Sequence, residues 1–187
     1  ISPNPEGGYR DNPPAADGAK VILADTDHLW GIGGNPQWVW KSFCRGLNPI
    51  FMDPYHRPAA GDKKDKRRTT WTDHLAGTPK LDPAWEPLRR AMGQTRRFAE
   101  RIDLASVNPA GGLASTGYCL ARAAENEAEY LIYAPEGGPL TVDLDKYPVL
   151  QVEVGSLEGD GAGWLIKLTW DRNGDGMISG GEDDLCL

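Results

Sequence analysis

The first hundred residues contain two short apolar runs with an amphipathic helix pattern between them. Residues 20–24, which are apolar after Lys20, form a short run typical of a strand buried on both faces, and residues 49–52 form another. Asn35 is placed to cap a helix with Pro36 at its first position. The inward positions of that helix recur at helical spacing and are Trp38, Val39, Ser42 and Phe43. We predict a βαβ unit, in which two parallel strands are joined by a helix.

A longer amphipathic helix is predicted further along the chain. Asp82 and Pro83 mark its start, because both residue types favour the first turn of a helix. A stripe of mostly apolar residues follows at intervals of three or four. Its members are Leu88, Ala91, Met92, Thr95, Phe98, Ala99 and Ile102.

After residues 109–112 the hydrophobic spacing changes from helical to alternating. Alternation is the pattern of a strand with one face in the core, and it predicts five strands. The predicted strands are residues 113–121, 129–134, 140–144, 149–154 and 164–170. The Pro-Glu-Gly-Gly-Pro turn at residues 135–139 is expected to join the second and third strands in a hairpin. Short strands separated by turns predict an antiparallel β-sandwich.

These patterns predict an α/β segment followed by an antiparallel β-sandwich. Residues 1–19 are rich in Pro, Gly, Asn and Asp and predict an extended N-terminal arm. Residues 20–108 carry the α/β segment, and residues 109–187 carry the sandwich. A chain of 187 residues is long enough for one domain or two small ones.

Composition narrows the classes of function. The net charge of −7 argues against a general nucleic-acid-binding protein, because phosphate contacts need a basic face. No apolar run reaches the length of a membrane span, so no membrane partner is expected. The seven tryptophans favour sugar stacking slightly, although tryptophan is equally a large core residue.

Residues 171–182 have the ligand spacing of an EF-hand calcium loop. Oxygen donors occupy loop positions one, three, five, seven, nine and twelve, and Gly176 occupies the turn at position six. These donors are Asp171, Asn173, Asp175, the Met177 carbonyl, Ser179 and Glu182. Because only residues 183–187 follow, we expect one structural Ca²⁺ loop, similar to half of a dockerin repeat, rather than a calcium sensor. The alternative is a solvated Asp/Gly turn.

The three cysteines lack the spacing of a zinc site. Cys44 lies inside an apolar helix pattern, so we predict that it is a free, buried thiol. For the other two cysteines, the sequence leaves a Cys119–Cys186 disulfide open.

Acidic residues follow both predicted parallel strands. Asp25, Asp27 and His28 come after the first strand, and Asp53 comes after the second. Functional groups gather at the carboxyl ends of parallel strands, and glycoside hydrolysis requires a pair of carboxyl groups. The alternative is structural: Asp25 or Asp27 caps the next turn, and His28 bonds a backbone carbonyl. Nearby tryptophans, among them Trp30, Trp38 and Trp40, favour a sugar site.

Several segments resemble the last part of apiosidase-like glycoside hydrolases. The matching segments are residues 21–31, 38–43, 45–55, 92–101 and 113–120, with residues 130–135 and 142–144 similar to the hairpin of the domain that follows. In that family a (β/α)8 barrel precedes a small β-sandwich of collagen-binding type. The resemblance covers roughly residues 20–144, and the calcium loop is not part of it.

The resemblance implies that the α/β segment is part of a (β/α)8 barrel. It marks Asp25 and Asp27 as candidate catalytic carboxylates and His28 and Trp30 as candidate substrate-binding residues; Trp38 and Asp53 are further candidates from their positions. A whole barrel needs about 250 residues, and at most two strand–helix units precede the sandwich here. The family's other catalytic carboxylate would lie on earlier barrel strands.

Two classes of function therefore compete. The first is a secreted, extracellular protein that forms the C-terminal portion of a glycoside hydrolase acting on plant or microbial polysaccharide and needs further chain for activity. The second is a calcium-stabilised binding or self-assembling module without catalysis. We expect a polysaccharide or oligosaccharide partner, and the second class leaves a protein partner open as well. We also expect a homo-oligomer or a second chain that completes the barrel, because open strand edges seldom stay unpaired.

Overall fold

The computed structural model describes residues 1–30, 33–52, 83–123, 127–137, 139–143, 151–156 and 162–169. The helices in these ranges are α1 (Thr26–Trp30), α2 (Pro36–Cys44) and α3 (Glu86–Ala99). The strands are β1 (Leu23–Asp25), β2 (Asn48–Ile50), β3 (Asn108–Pro109), β4 (Cys119–Ala123), β5 (Glu127–Ala134), β6 (Gln151–Ser156) and β7 (Ala162–Thr169). Short 3-10 turns occur at Pro5–Gly7, Pro83–Trp85 and Gly111–Leu113.

The predicted βαβ unit is confirmed. β1 and β2 pair in parallel, with Leu23 opposite Asn48, and α1 and α2 lie between them in the chain. The predicted helix cap is also present, because the Asn35 side chain accepts a hydrogen bond from the Trp38 amide at 2.8 Å. Local signals of the sequence therefore determine where α2 starts and how the two strands are connected.

The prediction that the first strand is buried on both faces is wrong. Ala24 is fully buried, but Val21 is 68% exposed and Leu23 is 40% exposed. Successive residues of a strand point to opposite sides, so one side of this segment packs on the core while the other meets solvent. The helices cover the first side, and nothing in the described ranges covers the second completely.

The N-terminal arm is ordered and packs along the α/β segment. The Ile1 amino group donates to the Val21 carbonyl, and the Leu23 amide donates to the Ile1 carbonyl, at 2.9 and 2.8 Å. These two bonds form the pattern of a parallel strand pair, so Ile1 covers the outer edge of β1. Farther along the arm, the Trp38 indole donates to the Tyr9 carbonyl at 3.1 Å.

The other strands form an antiparallel sheet in the order β3-β4-β5-β7-β6. The hairpin predicted between residues 129–134 and 140–144 is wrong. β4 and β7 occupy the two edges of β5, so no edge is left for another strand. Val142 instead makes an isolated bridge with Ala114.

The predicted strands at residues 129–134, 149–154 and 164–170 correspond to β5, β6 and β7, with boundaries that shift by a few residues. The predicted strand at residues 113–121 begins only at Cys119, because Leu113 belongs to the 3-10 turn before it. Gly117, with a φ of 76°, turns the chain just before that point. Only this one antiparallel sheet is seen in the described segments, and the β-sandwich stays a prediction.

One hydrophobic cluster joins the α/β segment to the antiparallel sheet. Trp40 of α2 stacks on Tyr133 of β5, with ring centroids 5.8 Å apart and an interplanar angle of 17°. The same indole meets Phe98 of α3 edge-on at 5.8 Å. The stripe predicted for the long helix is confirmed, since Leu88, Ala91, Thr95 and Phe98 are buried. The core is therefore continuous across residue 109.

Cys44 is a free, buried thiol, as predicted, and Cys119 is also free and buried. Burial raises the pKa of Cys44 well above its usual value and raises that of Cys119 to about 12. Both thiols therefore stay protonated at neutral pH and behave as small apolar residues. Cys186 lies outside the described residues.

Candidate functional site: an acidic cluster at the end of strand β1

Asp25 is the last residue of β1 and caps the helix that follows. Its Oδ1 accepts a hydrogen bond from the His28 amide at 3.0 Å, which is the N-cap interaction for α1. The alternative prediction, that Asp25 or Asp27 caps the turn after the strand, is therefore confirmed for Asp25. The His28 ring, however, contacts the Asp25 carboxylate rather than a backbone carbonyl.

Four side chains from two distant segments meet at this helix start. His28 Nδ1 lies 2.7 Å from Asp25 Oδ1 and 3.4 Å from Asp27 Oδ1. The Ser2 hydroxyl donates to Asp25 Oδ2 and lies 3.1 Å from His28 Nδ1. The Asp25 side chain is only 8% exposed, whereas those of Asp27 and His28 are 47% and 59% exposed. A buried carboxylate thus stands behind an accessible carboxyl and an accessible imidazole.

The environment shifts the pKa values of the two carboxyls in opposite directions. Burial raises the pKa of Asp25, but hydrogen bonds with Ser2, Asp27 and His28 outweigh it and hold that pKa at about 2. The hydrogen bond with Asp25 raises the pKa of Asp27, and burial and the charge of Asp25 act in the same direction. The hydrogen bond to Asp25 and the charges of both acids raise the pKa of His28. Asp27 is therefore the group that retains its proton longer.

This separation of pKa values suits Asp27 for proton donation. A solvent-accessible carboxyl with a raised pKa can give a proton to a leaving group, while Asp25 stays ionised beside it. The two carboxyls share a hydrogen bond, so they lie too close together to flank a glycosidic bond. Carboxyls that act from opposite sides of such a bond are about 5–9.5 Å apart. The cluster has the geometry for one member of such a pair but not for both.

The same geometry is unsuited to a serine nucleophile. In a Ser-His-Asp triad the serine bonds one imidazole nitrogen and the acid bonds the other. Here Ser2 and Asp25 both contact Nδ1 of His28. Asp25 therefore cannot hold one ring nitrogen of His28 while the other takes the proton of the Ser2 hydroxyl.

A divalent cation is the other ligand that this cluster could hold. Asp25, Asp27 and His28 each offer a ligand atom, and the three atoms lie within 4.8 Å of one another. The three groups already satisfy one another through hydrogen bonds and ion pairs, so the cluster does not depend on an ion.

The two tryptophans predicted to bind substrate lie against the core. Trp38 is 1% exposed and meets Trp30 edge-on, with ring centroids 6.4 Å apart. Trp30 is half-buried, and the Arg10 guanidinium lies over its ring at 4.5 Å. Because Trp38 has no accessible face, it is unsuited to stacking on a sugar, and Trp30 could do so only after Arg10 moves.

The remaining predicted site residues lie outside the described residues. They are Asp53 and the calcium ligands Asp171, Asn173, Asp175, Met177, Ser179 and Glu182. The cluster that can be described is thus built on Asp25, Asp27 and His28, three of the residues that the sequence singled out.

Ser2 is the functional side chain that sequence reasoning missed. It lies 23 positions before Asp25, and no motif links the two. The short helix α1 was missed as well, although the interval from Asp25 to His28 is that of an N-cap and its third helical residue. That interval could have indicated the helix, whereas only the folded arm brings Ser2 to the cluster.

A scan against protein-family models found no matching family. Searches of curated proteins and of solved structures found no match either. The resemblance to apiosidase-like glycoside hydrolases therefore stays a prediction from the sequence, and any function rests on the geometry of the cluster.

Proposed function

We propose that this chain is the C-terminal portion of a secreted glycoside hydrolase that acts on plant or microbial polysaccharide. Its Asp25–Asp27 pair supplies one of the two carboxyl functions of the active site. Further chain supplies the other carboxylate and the missing part of the (β/α)8 barrel. An extracellular location belongs to the same proposal, because polysaccharides of this kind lie outside the cell.

The observation that carries the proposal is the separation of the two carboxyl pKa values at the end of β1. Catalytic carboxyls in α/β proteins lie at the carboxyl ends of parallel strands, which is where Asp25 lies. An ionised acid beside one with a raised pKa is the pattern that acid–base catalysis uses. A structural N-cap alone would require only Asp25, and it would not account for an exposed Asp27 whose pKa the neighbouring Asp25 raises.

We expect the isolated chain not to hydrolyse aryl glycosides. Hydrolysis needs two carboxyls on either side of the scissile bond, and Asp25 and Asp27 are too close together to take both positions. Release of nitrophenol from a panel of aryl glycosides by the purified chain measures this. The rate should equal that of Asp27→Asn, which keeps the shape of the side chain and removes its titrating group.

Mixing the chain with candidate barrel fragments is the complementary experiment. We expect a fragment that completes the barrel to restore turnover, and Asp27→Asn to lower the restored rate by about 10²–10⁴-fold, the usual contribution of a general acid. Turnover by the wild-type chain alone that Asp27→Asn abolishes would instead mean that the active site is complete.

An exposed apolar face supports the part of the proposal that concerns partners. Val21, Leu23 and Met52 are 68%, 40% and 58% exposed. Each such side chain contributes about 1.5–3 kcal/mol when it is fully buried. No strand in the described part of the chain pairs with the outer edge of β2. Apolar side chains beside an open edge favour association with another polypeptide.

We expect the purified chain to form a homo-oligomer at micromolar concentration. Sedimentation velocity measures the distribution of species, and replacing Val21 and Met52 together with serine should shift it toward the monomer. Leu104→Ser is the matched control, since Leu104 is also exposed, at 48%, but follows α3. A wild-type chain that sediments as a compact monomer would contradict the prediction.

The alternative function is a calcium-stabilised module that binds polysaccharide or assembles without catalysis. The same exposed face favours it, because a self-assembling module would bury that face between copies. Failure of every barrel fragment to restore turnover, together with stable oligomers, would favour this alternative.

We also propose that residues 171–182 bind one Ca²⁺ ion. Chelation should lower the melting temperature, because an ion that binds only the folded state at 100 times its Kd stabilises it by about 2.7 kcal/mol. Calorimetric titration should give one site. Glu182→Gln should abolish the heat of Ca²⁺ binding. Asp183→Asn, at the adjacent position outside the loop, should leave that heat unchanged. A melting temperature that chelator leaves unchanged would contradict the proposal.

A further inference from the structure

A half-open cavity lies where the N-terminal arm, the start of β2 and the start of β3 meet. Its volume is about 470 Å³, within the usual range for small-molecule pockets of about 300–1,000 Å³. It adjoins Asn48, the first residue of β2, whereas Asp25 is paired with Ile50 at the other end of that strand. The cavity and the acidic cluster therefore lie at opposite ends of the parallel strand pair.

Three polar side chains line the cavity, and each is oriented by one hydrogen bond. Asn48 Nδ2 donates to the Ile22 carbonyl at 3.2 Å, and Asn108 Nδ2 donates to the Ser106 carbonyl at 3.1 Å. Asp17 Oδ1 accepts from the Ala19 amide at 2.9 Å. These bonds use one amide hydrogen of each asparagine and one oxygen of the aspartate. Both amide oxygens, two amide hydrogens and one carboxylate oxygen remain for a ligand among the described residues.

Apolar side chains form part of the remaining cavity wall. Phe43, Leu47 and Leu120 form part of it, and these three side chains belong to the hydrophobic core. Leu104 also lines the cavity and is 48% exposed, which places it at the rim. A wall of this kind suits the carbon-bound hydrogens of a ligand, while the polar groups suit its hydroxyls.

We propose that this cavity binds a neutral saccharide unit. Hydroxyls both donate and accept hydrogen bonds, which matches the mixed set of amide and carboxylate groups. The Asp17 carboxylate would repel an acidic sugar. An amine ligand would leave the asparagine hydrogens without acceptors. The choice of a saccharide rests on the proposed carbohydrate function, and the cavity then serves as a secondary binding site that holds polysaccharide away from the acidic cluster.

Residue-resolved NMR titration of the full chain tests this proposal, with cellobiose and xylobiose as probes. We expect amide shifts at Asp17, Gly18 and Asn108. Leu104→Trp, which fills the rim from a partly exposed position, should weaken binding at least tenfold. Asp17→Ala removes one ligand group and should weaken it several-fold. The matched control is Asp11→Ala, an exposed acid of the same arm that does not line the cavity.

The results separate this proposal from the catalytic one. Shifts at the cavity residues that persist in Asp27→Asn and disappear in Leu104→Trp support the secondary site, whatever the fate of the hydrolase proposal. Shifts confined to Asp25, Asp27 and His28 overturn the secondary site and leave the proposed function standing. The secondary site is also overturned if neither disaccharide shifts the NMR signal of any amide that lines the cavity. It is overturned as well if Leu104→Trp binds the disaccharides as tightly as the wild type does.

Discussion

Replacing Trp40 with alanine is expected to lower the free energy of unfolding by about 3–5 kcal/mol. Trp40 is 3% exposed and contacts aromatic rings of α2, α3 and β5, with centroids about 6 Å away, the spacing of attractive aromatic pairs. Its removal leaves a cavity at the point where the α/β segment packs on the antiparallel sheet. Urea denaturation followed by circular dichroism measures the loss.

Trp85→Ala is the matched control for this substitution. Trp85 is only half-buried, and its ring centroid lies 6.3 Å from that of Phe51. We expect a clearly smaller loss than for Trp40→Ala, because less apolar surface is uncovered. Equal losses for the two variants would show that the Trp40 cluster is not the main contact between the two segments.

Replacing Glu129 with alanine is expected to lower the free energy of unfolding by about 3–5 kcal/mol, the usual cost of breaking a buried ion pair. Glu129 Oε2 accepts from Arg122 Nε at 2.7 Å and from the Asp103 amide at 3.2 Å. The side chains of Glu129 and Arg122 are only 9% and 16% exposed. The variant leaves a guanidinium and a backbone amide without this acceptor in a site that water barely reaches.

The chain also contains an exposed ion pair that serves as the control. Arg96 Nε and Glu100 Oε1 are 3.0 Å apart on α3, but their side chains are 81% and 60% exposed. Glu100→Ala should therefore change stability by no more than about 1 kcal/mol. The double variant Arg122→Met, Glu129→Leu should recover much of the loss seen for Glu129→Ala. If Glu129→Ala costs as little as Glu100→Ala, the buried pair is not a stabilising contact.

Strand pairing was predictable only in part. The parallel pairing of β1 and β2 follows from local signals, because a strand, a capped helix and a second strand leave few arrangements open. The hairpin predicted for β5 failed because turn residues determine where a chain reverses but not which strand it joins. The pairing of β5 with β7 along its whole length, and with β4 over residues 128–132, outweighs a local Pro-Gly turn signal.

The acidic cluster was predictable to the same limited extent. Asp25, Asp27 and His28 are close in sequence at a predicted strand end, so their proximity in space could be expected. The sequence does not predict which of the two acids keeps its proton to the higher pH. The low pKa of Asp25 depends partly on the hydroxyl of Ser2, and the burial that opposes it depends on packing. Trp38 is a similar case, because the sequence does not distinguish a tryptophan that stacks on a sugar from one that is buried in the core.

Features that depend on neighbouring residues could be predicted from the sequence alone. These include the cap of α2 at Asn35, the buried stripe of α3 and the grouping of Asp25 with His28. Long-range packing sets which face of β1 is covered, how the five antiparallel strands are ordered and which side chain completes the acidic cluster. Those outcomes depend on contacts between residues far apart in the chain. A local pattern contains no information about which distant segment will lie beside it.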